Sequence, residues 1–181
     1  MASALMYLSD ALVGMGMLEE AAACREEMRS LLLRCADATG NAELLRTSGI
    51  AAFAAGDLKS ARALLRDALE VSRELGFANN VAGSLRAIGD VFLAEGRTEL
   101  AGRIMQAVAA DPSTTPASRA KARLACTYLG IEVLPVSQAN QVAALVDEAV
   151  RVSASLGDWL APAADARPFP TRLAVGARRA S

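Results

Sequence analysis

The chain has 181 residues, no histidine and a formal net charge of −1 at pH 7. The balanced charge gives no overall attraction to nucleic acid or to an anionic membrane, and the missing histidine removes the commonest general base and metal ligand. Its longest apolar runs are far below the roughly 18 residues of a membrane-spanning helix, and residues 1–10 lack the basic leader and apolar block of a secretory signal, so we expect neither feature.

A glycine followed five residues later by an alanine recurs with a period of 40 residues. The three pairs are Gly16/Ala21, Gly56/Ala61 and Gly96/Ala101. Apolar residues with helical spacing follow each alanine, and nothing in the chain alternates with the period of a strand. Because repeat architectures have periods of roughly 20–50 residues, the sequence predicts successive units, each with a helix A, a tight turn and a helix B.

The first two units follow this pattern to different degrees. In the first unit, Ser9 replaces a glycine of the pattern and Arg25 stands at an expected apolar position. Such departures are typical of an end unit, which needs a polar outer face. In the second unit, we expect Gly56 to end helix A with a positive φ angle and Asp57 to cap helix B.

Small residues recur at equivalent places on the two helices of a unit. Gly49 lies seven residues before the turn glycine of the second unit, and Gly89 has the same place in the third. Small residues on facing helices let two backbones approach closely. We therefore expect Gly49 to face Ala61 and Gly89 to face Ala101.

A fourth unit is more divergent. Thr115 is a candidate helix cap with Pro116 at the first helical position, and Pro135 is expected to end helix A in place of a tight glycine turn. Residues 148–157 match residues 67–76 of the second unit at five positions. They are therefore the predicted helix B of this unit.

The pattern of a large residue, Leu-Gly, Gly, Ala and apolar positions on helix B resembles the tetratricopeptide repeat, over residues 4–157. The units are longer than the usual 34 residues, as in the C-terminal regions of bacterial LuxR-type regulators and related signalling ATPases. The resemblance implies an all-α fold, a right-handed superhelix of about four antiparallel helix hairpins. The predicted organisation is a repeat domain at 1–160, with units at 2–40, 41–78, 79–112 and 116–157, and a poorly ordered tail at 161–181 that contains prolines and arginines.

The residues of catalytic and metal sites are largely missing. The acidic pairs Glu19/Glu20 and Glu26/Glu27 share a helical face without a histidine, so a solvated acidic surface is the preferred interpretation. Three cysteines without paired spacing are typical of a reduced, cytoplasmic protein. We expect no catalytic residue, no metal and no cofactor. Arginines alternate with acids on helix B of the second unit, which indicates an exposed helix rather than a nucleic-acid-binding face.

The resemblance implies a concave groove lined by the A helices. Aligned positions form three columns, which are Met6, Arg46, Arg86 and Thr127; Asp10, Ile50, Asp90 and Ile131; and Val13, Phe53, Leu93 and Leu134. The candidate binding residues are Arg46, Ile50, Phe53, Arg86, Asp90, Leu93, Thr127 and Ile131. The two arginines suit the carboxylate of a peptide, because a guanidinium can hold it with two hydrogen bonds. In the alternative interpretation, Arg46 and Arg86 pair with Glu43, Asp90 or neighbouring groups and hold the repeats together.

The sequence therefore predicts a non-catalytic scaffold or regulatory segment for protein–protein contact, within a bacterial transcriptional regulator or signalling protein. The expected partner is a protein or peptide with apolar and acidic character, and self-association is a further option. We expect no direct nucleic-acid or membrane contact by this segment. The alternative is a peptide or small-ligand sensor that changes its superhelical shape on binding.

Overall fold

The computed structural model describes residues 2–35, 37–133 and 142–155. These residues form helices and no strand, which confirms the all-α prediction for the described ranges. The helices are α1 (Ala2–Met15), α2 (Leu18–Cys35), α3 (Ala38–Ala54), α4 (Leu58–Glu74), α5 (Ala78–Ala94), α6 (Thr98–Ala110), α7 (Pro116–Leu129) and α8 (Val142–Ser155). The predicted tail at 161–181 lies outside the described residues.

Six of the helices form three consecutive hairpins, α1–α2, α3–α4 and α5–α6. Each hairpin packs against the next one, because α3 contacts both α1 and α2, and α5 contacts both α3 and α4. Helix α7 then packs against α5 and α6. The A helices α1, α3, α5 and α7 therefore lie side by side in chain order.

The three predicted turn glycines have the same geometry. Gly16, Gly56 and Gly96 have φ angles of 79°, 83° and 77°. After Gly56, the N–H of Asp57 donates to the carbonyl of Ala52 at 2.9 Å, and the glycine N–H donates to that of Phe53 at 3.0 Å. Equivalent pairs of bonds close the other two turns. This is the Schellman arrangement, so the three helices end in the same way.

Two predicted helix caps are confirmed and one predicted helix end is wrong. The side chain of Asp57 accepts from the N–H of Ser60 at 3.0 Å, and that of Thr115 caps α7, which begins at Pro116. Helix α7 ends at Leu129, where Gly130 adopts a φ of 67°. Glycine rather than Pro135 therefore terminates this helix, and Pro135 itself lies outside the described residues.

The close approach of α3 and α4 is confirmed at Gly49. A Cβ atom on Gly49 would lie 2.6 Å from Leu65 Cγ and 3.3 Å from the carbonyl oxygen of Ala61. The equivalent Gly89 of α5 is crowded chiefly by Met105, whose Cε would lie 2.9 Å from such a Cβ. Its nearest neighbours are thus on the following turn of α6 rather than at the expected Ala101.

The two departures of the first unit from the pattern compensate each other. Arg25 Nη1 donates to Ser9 Oγ at 3.2 Å, and Ser9 Oγ donates to the carbonyl of Ala21 at 3.4 Å. Arg25 has the place of Leu65 in the second unit, and Ser9 has the place of Gly49. A polar contact here replaces the packing of a glycine against an apolar side chain.

The main core lies between α4, α5 and α6, with contributions from α7 and α8. Its largest fully buried side chains include Leu65, Leu85, Ile88, Phe92 and Met105. A smaller cluster, Met6, Met28, Leu32 and Leu44, joins the first hairpin to α3. The larger of the two buried clusters therefore surrounds the third hairpin.

Helix α8 does not form a hairpin with α7, in contrast to the predicted unit at 116–157. Its described residues lie against α4, α5 and α6. Leu145, Val146 and Ala149 are buried there as part of the main core. The last helix of the described chain therefore returns to the middle of the stack.

Candidate functional site

The candidate surface is the side of the A helices that carries Asp10, Arg46, Arg86, Asp90 and Lys121, which we call the A-helix face. Asp10 lies on α1, Arg46 on α3, Arg86 and Asp90 on α5, and Lys121 on α7. Charges from four neighbouring helices thus form one polar strip. Sequence reasoning found the first four of these positions and missed Lys121.

Arg46 is held by carboxylates on two helices. Its Nε and Nη2 donate to Glu43 Oε2 at 3.0 and 2.8 Å, and Nη2 lies 3.6 Å from Asp10 Oδ2 on α1. Only 15% of the Arg46 side chain is exposed. The contact with Asp10 joins the first A helix to the second.

Arg86 is paired in a similar way within its own helix. It is buried, and its Nη1 donates to Asp90 Oδ2 one turn further along α5. These are the contacts of the alternative interpretation, in which the two arginines pair with Glu43 and Asp90. An acidic ligand could therefore reach either guanidinium only in competition with a carboxylate that already holds it.

The electrostatics of the A-helix face are balanced rather than positive. Burial raises the pKa of Asp10 above its ordinary value, and Arg46 opposes that rise. The positive charge of Arg86, followed by burial, lowers the pKa of Lys121, and Asp90 acts against both. With Glu43, the strip has three carboxylates and three cations. Charge alone therefore gives it no preference for an anionic partner.

Three apolar candidates accompany this strip. Ile50, Phe53 and Leu93 are half-buried and pack against the main core, so each leaves part of its side chain accessible. Ile50 and Phe53 lie on α3, and Leu93 lies on α5. They provide partly accessible apolar side chains along the two central A helices.

The predicted position of Ile131 is wrong. Ile131 follows the end of α7 and packs on α6, where its Cδ1 would lie 2.4 Å from a Cβ on Gly102. Thr127 is exposed, and its Oγ1 donates to the carbonyl of Arg123. Leu134, the last member of the third column, lies outside the described residues.

The wrong position predicted for Ile131 arises because the third unit is shorter than the 40-residue period of the sequence pattern. Gly130 ends α7 as Gly96 ends α5, and these glycines are 34 residues apart rather than 40. Alignment on them makes Thr127 equivalent to Leu93 and Leu124 equivalent to Asp90. Leu124 is 44% exposed, so the apolar surface continues onto α7 through this residue. The glycine spacing was the signal that could have shown it.

A second concave feature lies where α1, α3 and α5 begin. This cleft has a volume of about 620 Å³, and its lining includes Met6, Tyr7, Thr39, Phe77 and Asn80. Its wall is partly apolar, and Tyr7 is one of the most exposed large hydrophobic side chains among the described residues. The volume lies within the range of about 300–1,000 Å³ that small-molecule sites occupy.

Within the described ranges, no three histidine, cysteine or acidic side chains are grouped as metal ligands would be. Cys24 and Cys126 are free thiols, and burial raises the pKa of Cys126. In the same ranges, every helix is too short or too polar to cross a membrane.

No protein-family model matches the chain, and neither a curated protein nor a solved structure is significantly similar to it. The resemblance to the tetratricopeptide repeat therefore stays a prediction from the sequence pattern.

Proposed function

We propose that this chain is a non-catalytic helical-repeat module of the tetratricopeptide-like type that acts by binding another protein. Three consecutive hairpins with identical glycine turns support the repeat assignment. Stacked hairpins of this kind form extended surfaces suited to binding. Under this proposal the hairpins form a right-handed superhelix, and the protein works in the cytoplasm as part of a bacterial regulator or signalling protein.

The observation that carries the proposal is the apolar surface of the A-helix face beside paired charges. Ile50, Phe53, Leu93 and Leu124 come from three neighbouring helices. Each is three, four or seven residues from a charged residue of the polar strip on its own helix, a spacing that puts the two on one helical face. The partner is therefore a segment with apolar side chains. Acidic groups on the partner engage Arg46 or Arg86 only by displacing Glu43 or Asp90. Apolar contacts, rather than these charges, are therefore expected to provide most of the binding.

Site-specific photo-crosslinking in the source cells tests this function. A photoreactive phenylalanine analogue is placed at Phe53 or, as the matched control, at exposed Ala63 on helix α4. We expect a discrete protein adduct from position 53 and none from position 63. Adducts from both positions, from the control alone or from neither would contradict the proposed face.

A small-ligand sensor is the second candidate, because of the 620 Å³ cleft at the start of α1, α3 and α5. A ligand there would bridge the first three A helices and fix their relative positions. Thermal unfolding in the presence of a small-molecule library tests it. A hit should raise the unfolding temperature of the wild type and lose that effect in Tyr7→Ala, whereas a shift that persists in the variant would place binding elsewhere.

A further inference from the structure

Helix α8 lies in a groove formed by α4, α5 and α6, which we call the α8 groove. Leu145, Val146 and Ala149 supply its buried apolar side, and Val150 and Val152 add partly buried contacts. This is the way in which an amphipathic helix binds a groove, with apolar anchors one turn apart. Although α8 belongs to the same chain, it is packed as a peptide ligand would be.

Two consecutive acids fix α8 between the walls of the groove. Asp147 accepts from Arg73 Nη1 on α4, and Glu148 accepts from Arg103 on α6 through two bonds, Nη1–Oε1 at 3.0 Å and Nη2–Oε2 at 2.9 Å. Adjacent residues of a helix point about 100° apart. One acid therefore reaches each wall, so a helix with this pair in this register uses both arginines.

The contact between α8 and the α8 groove has features of an exchangeable rather than a permanent interaction. Within the described residues α8 has no contact with α7, the helix that precedes it in the chain. The arginines of both ion pairs are about half exposed to solvent, at 49% for Arg73 and 51% for Arg103. The Oγ atoms of Ser153 on α8 and Ser72 on α4 are buried and lack a hydrogen-bond partner, and burial without a partner opposes docking.

We propose that the α8 groove is a binding site for an amphipathic helix with an adjacent acidic pair, and that α8 occupies it in cis as an exchangeable ligand. A partner helix of the same chemistry binds after α8 leaves. Attachment to the same chain gives α8 a high effective concentration, so the groove opens to a partner only when α8 docking is weakened. This site is separate from the A-helix face, and its test leaves the function proposed above untouched.

Binding of a labelled peptide in trans tests the proposal. The peptide has the sequence of residues 142–155, and the protein is the full chain with Leu145→Asp and Ala149→Asp, which place charges against the apolar groove. We expect the peptide to bind this variant at least tenfold more tightly than it binds the wild type, whose groove is occupied. A peptide with the same two substitutions is the matched control and should not bind.

Charge reversal establishes the register of the peptide. In the same variant, Arg73→Glu with Arg103→Glu should weaken the wild-type peptide about tenfold. A peptide with Asp147→Arg and Glu148→Arg should recover that loss. A peptide with Ser153→Ala should bind several-fold more tightly, because it removes a buried hydroxyl.

Several results would overturn the proposal. These are equal binding of the peptide to the wild type and the variant, no binding to a variant with retained helicity, or indifference to charge reversal. If the variant loses helicity, hydrogen exchange in the wild type decides instead. Amides of α8 should then exchange well before those of α5, and equal protection of the two helices would mean that α8 is a fixed part of the fold.

Discussion

Substitution of Gly49 by alanine measures how closely α3 and α4 must approach. The new Cβ would lie 2.6 Å from Leu65 Cγ and 2.9 Å from Leu65 Cδ2. Carbon atoms in good contact are about 3.5–4.0 Å apart, so the approach is too close by about 1 Å. Leu65 is completely buried, and protein interiors are close-packed. The helices must separate, or Leu65 must leave its rotamer.

Gly83 provides a matched control. It also lies inside a helix, but the nearest atom to a Cβ there is Arg46 Cδ at 3.6 Å, an ordinary contact. Replacing a glycine by alanine inside a helix stabilises by up to about 1 kcal/mol, and this gain applies to both sites. Overpacking a core costs about 1–3 kcal/mol. The two variants should therefore differ by about 1–3 kcal/mol, with Gly83→Ala more stable than the wild type.

Urea unfolding followed by circular dichroism gives both free energies of unfolding under one set of conditions. The wild type and a conservative change at an exposed site complete the series. If Gly49→Ala is as stable as Gly83→Ala, the close approach of α3 and α4 is not a constraint on this fold, and the interpretation of the small residues in the repeat is wrong.

Three further predictions concern a turn, the first unit and a buried acid. Gly56→Ala should lower the free energy of unfolding in urea by about 1 kcal/mol. The positive φ alone causes this loss, since nothing lies within 4 Å of the new Cβ. Unchanged stability would contradict this prediction. Ser9→Gly and Arg25→Leu should each lower the free energy of unfolding by about 1 kcal/mol. The double variant should lose less stability than the sum of the two single losses. Strict additivity would argue that the two residues do not compensate each other. Burial raises the pKa of Glu95 above its ordinary value of 4.5 against the opposing charge of Arg62. The folded state then binds this proton more tightly, so the stability of the wild type relative to Glu95→Gln should rise as the pH falls from neutral towards 4.5, and a difference that is independent of pH would refute it.

The candidate site could be predicted in part. The repeat pattern named Ile50, Phe53 and Leu93 as candidates, and all three are half-buried; their role in binding stays a prediction. The partners of Arg46 and Arg86 remained open between a ligand and neighbouring carboxylates, because spacing alone gives Glu43 and Asp90 as candidates without fixing rotamers. Only side-chain geometry decided in favour of these carboxylates.

The sequence by itself determined the features that depend on a few consecutive residues. The turns at Gly16, Gly56 and Gly96 follow from the need for a positive φ at a helix end, and the caps at Asp57 and Thr115 follow from unpaired N–H groups in the first helical turn. Each of these is complete within about six residues, so the local pattern is sufficient.

Only the tertiary structure decided which helices meet after the third hairpin. The similarity of residues 148–157 to α4 predicted a helix, which the structure shows at 148–155, but it contained no information about the neighbour of that helix. Helix α8 packs in the α8 groove because the apolar surface of α4, α5 and α6 and the arginines on its two walls match α8. That match joins residues far apart in the chain, and no local pattern specifies it.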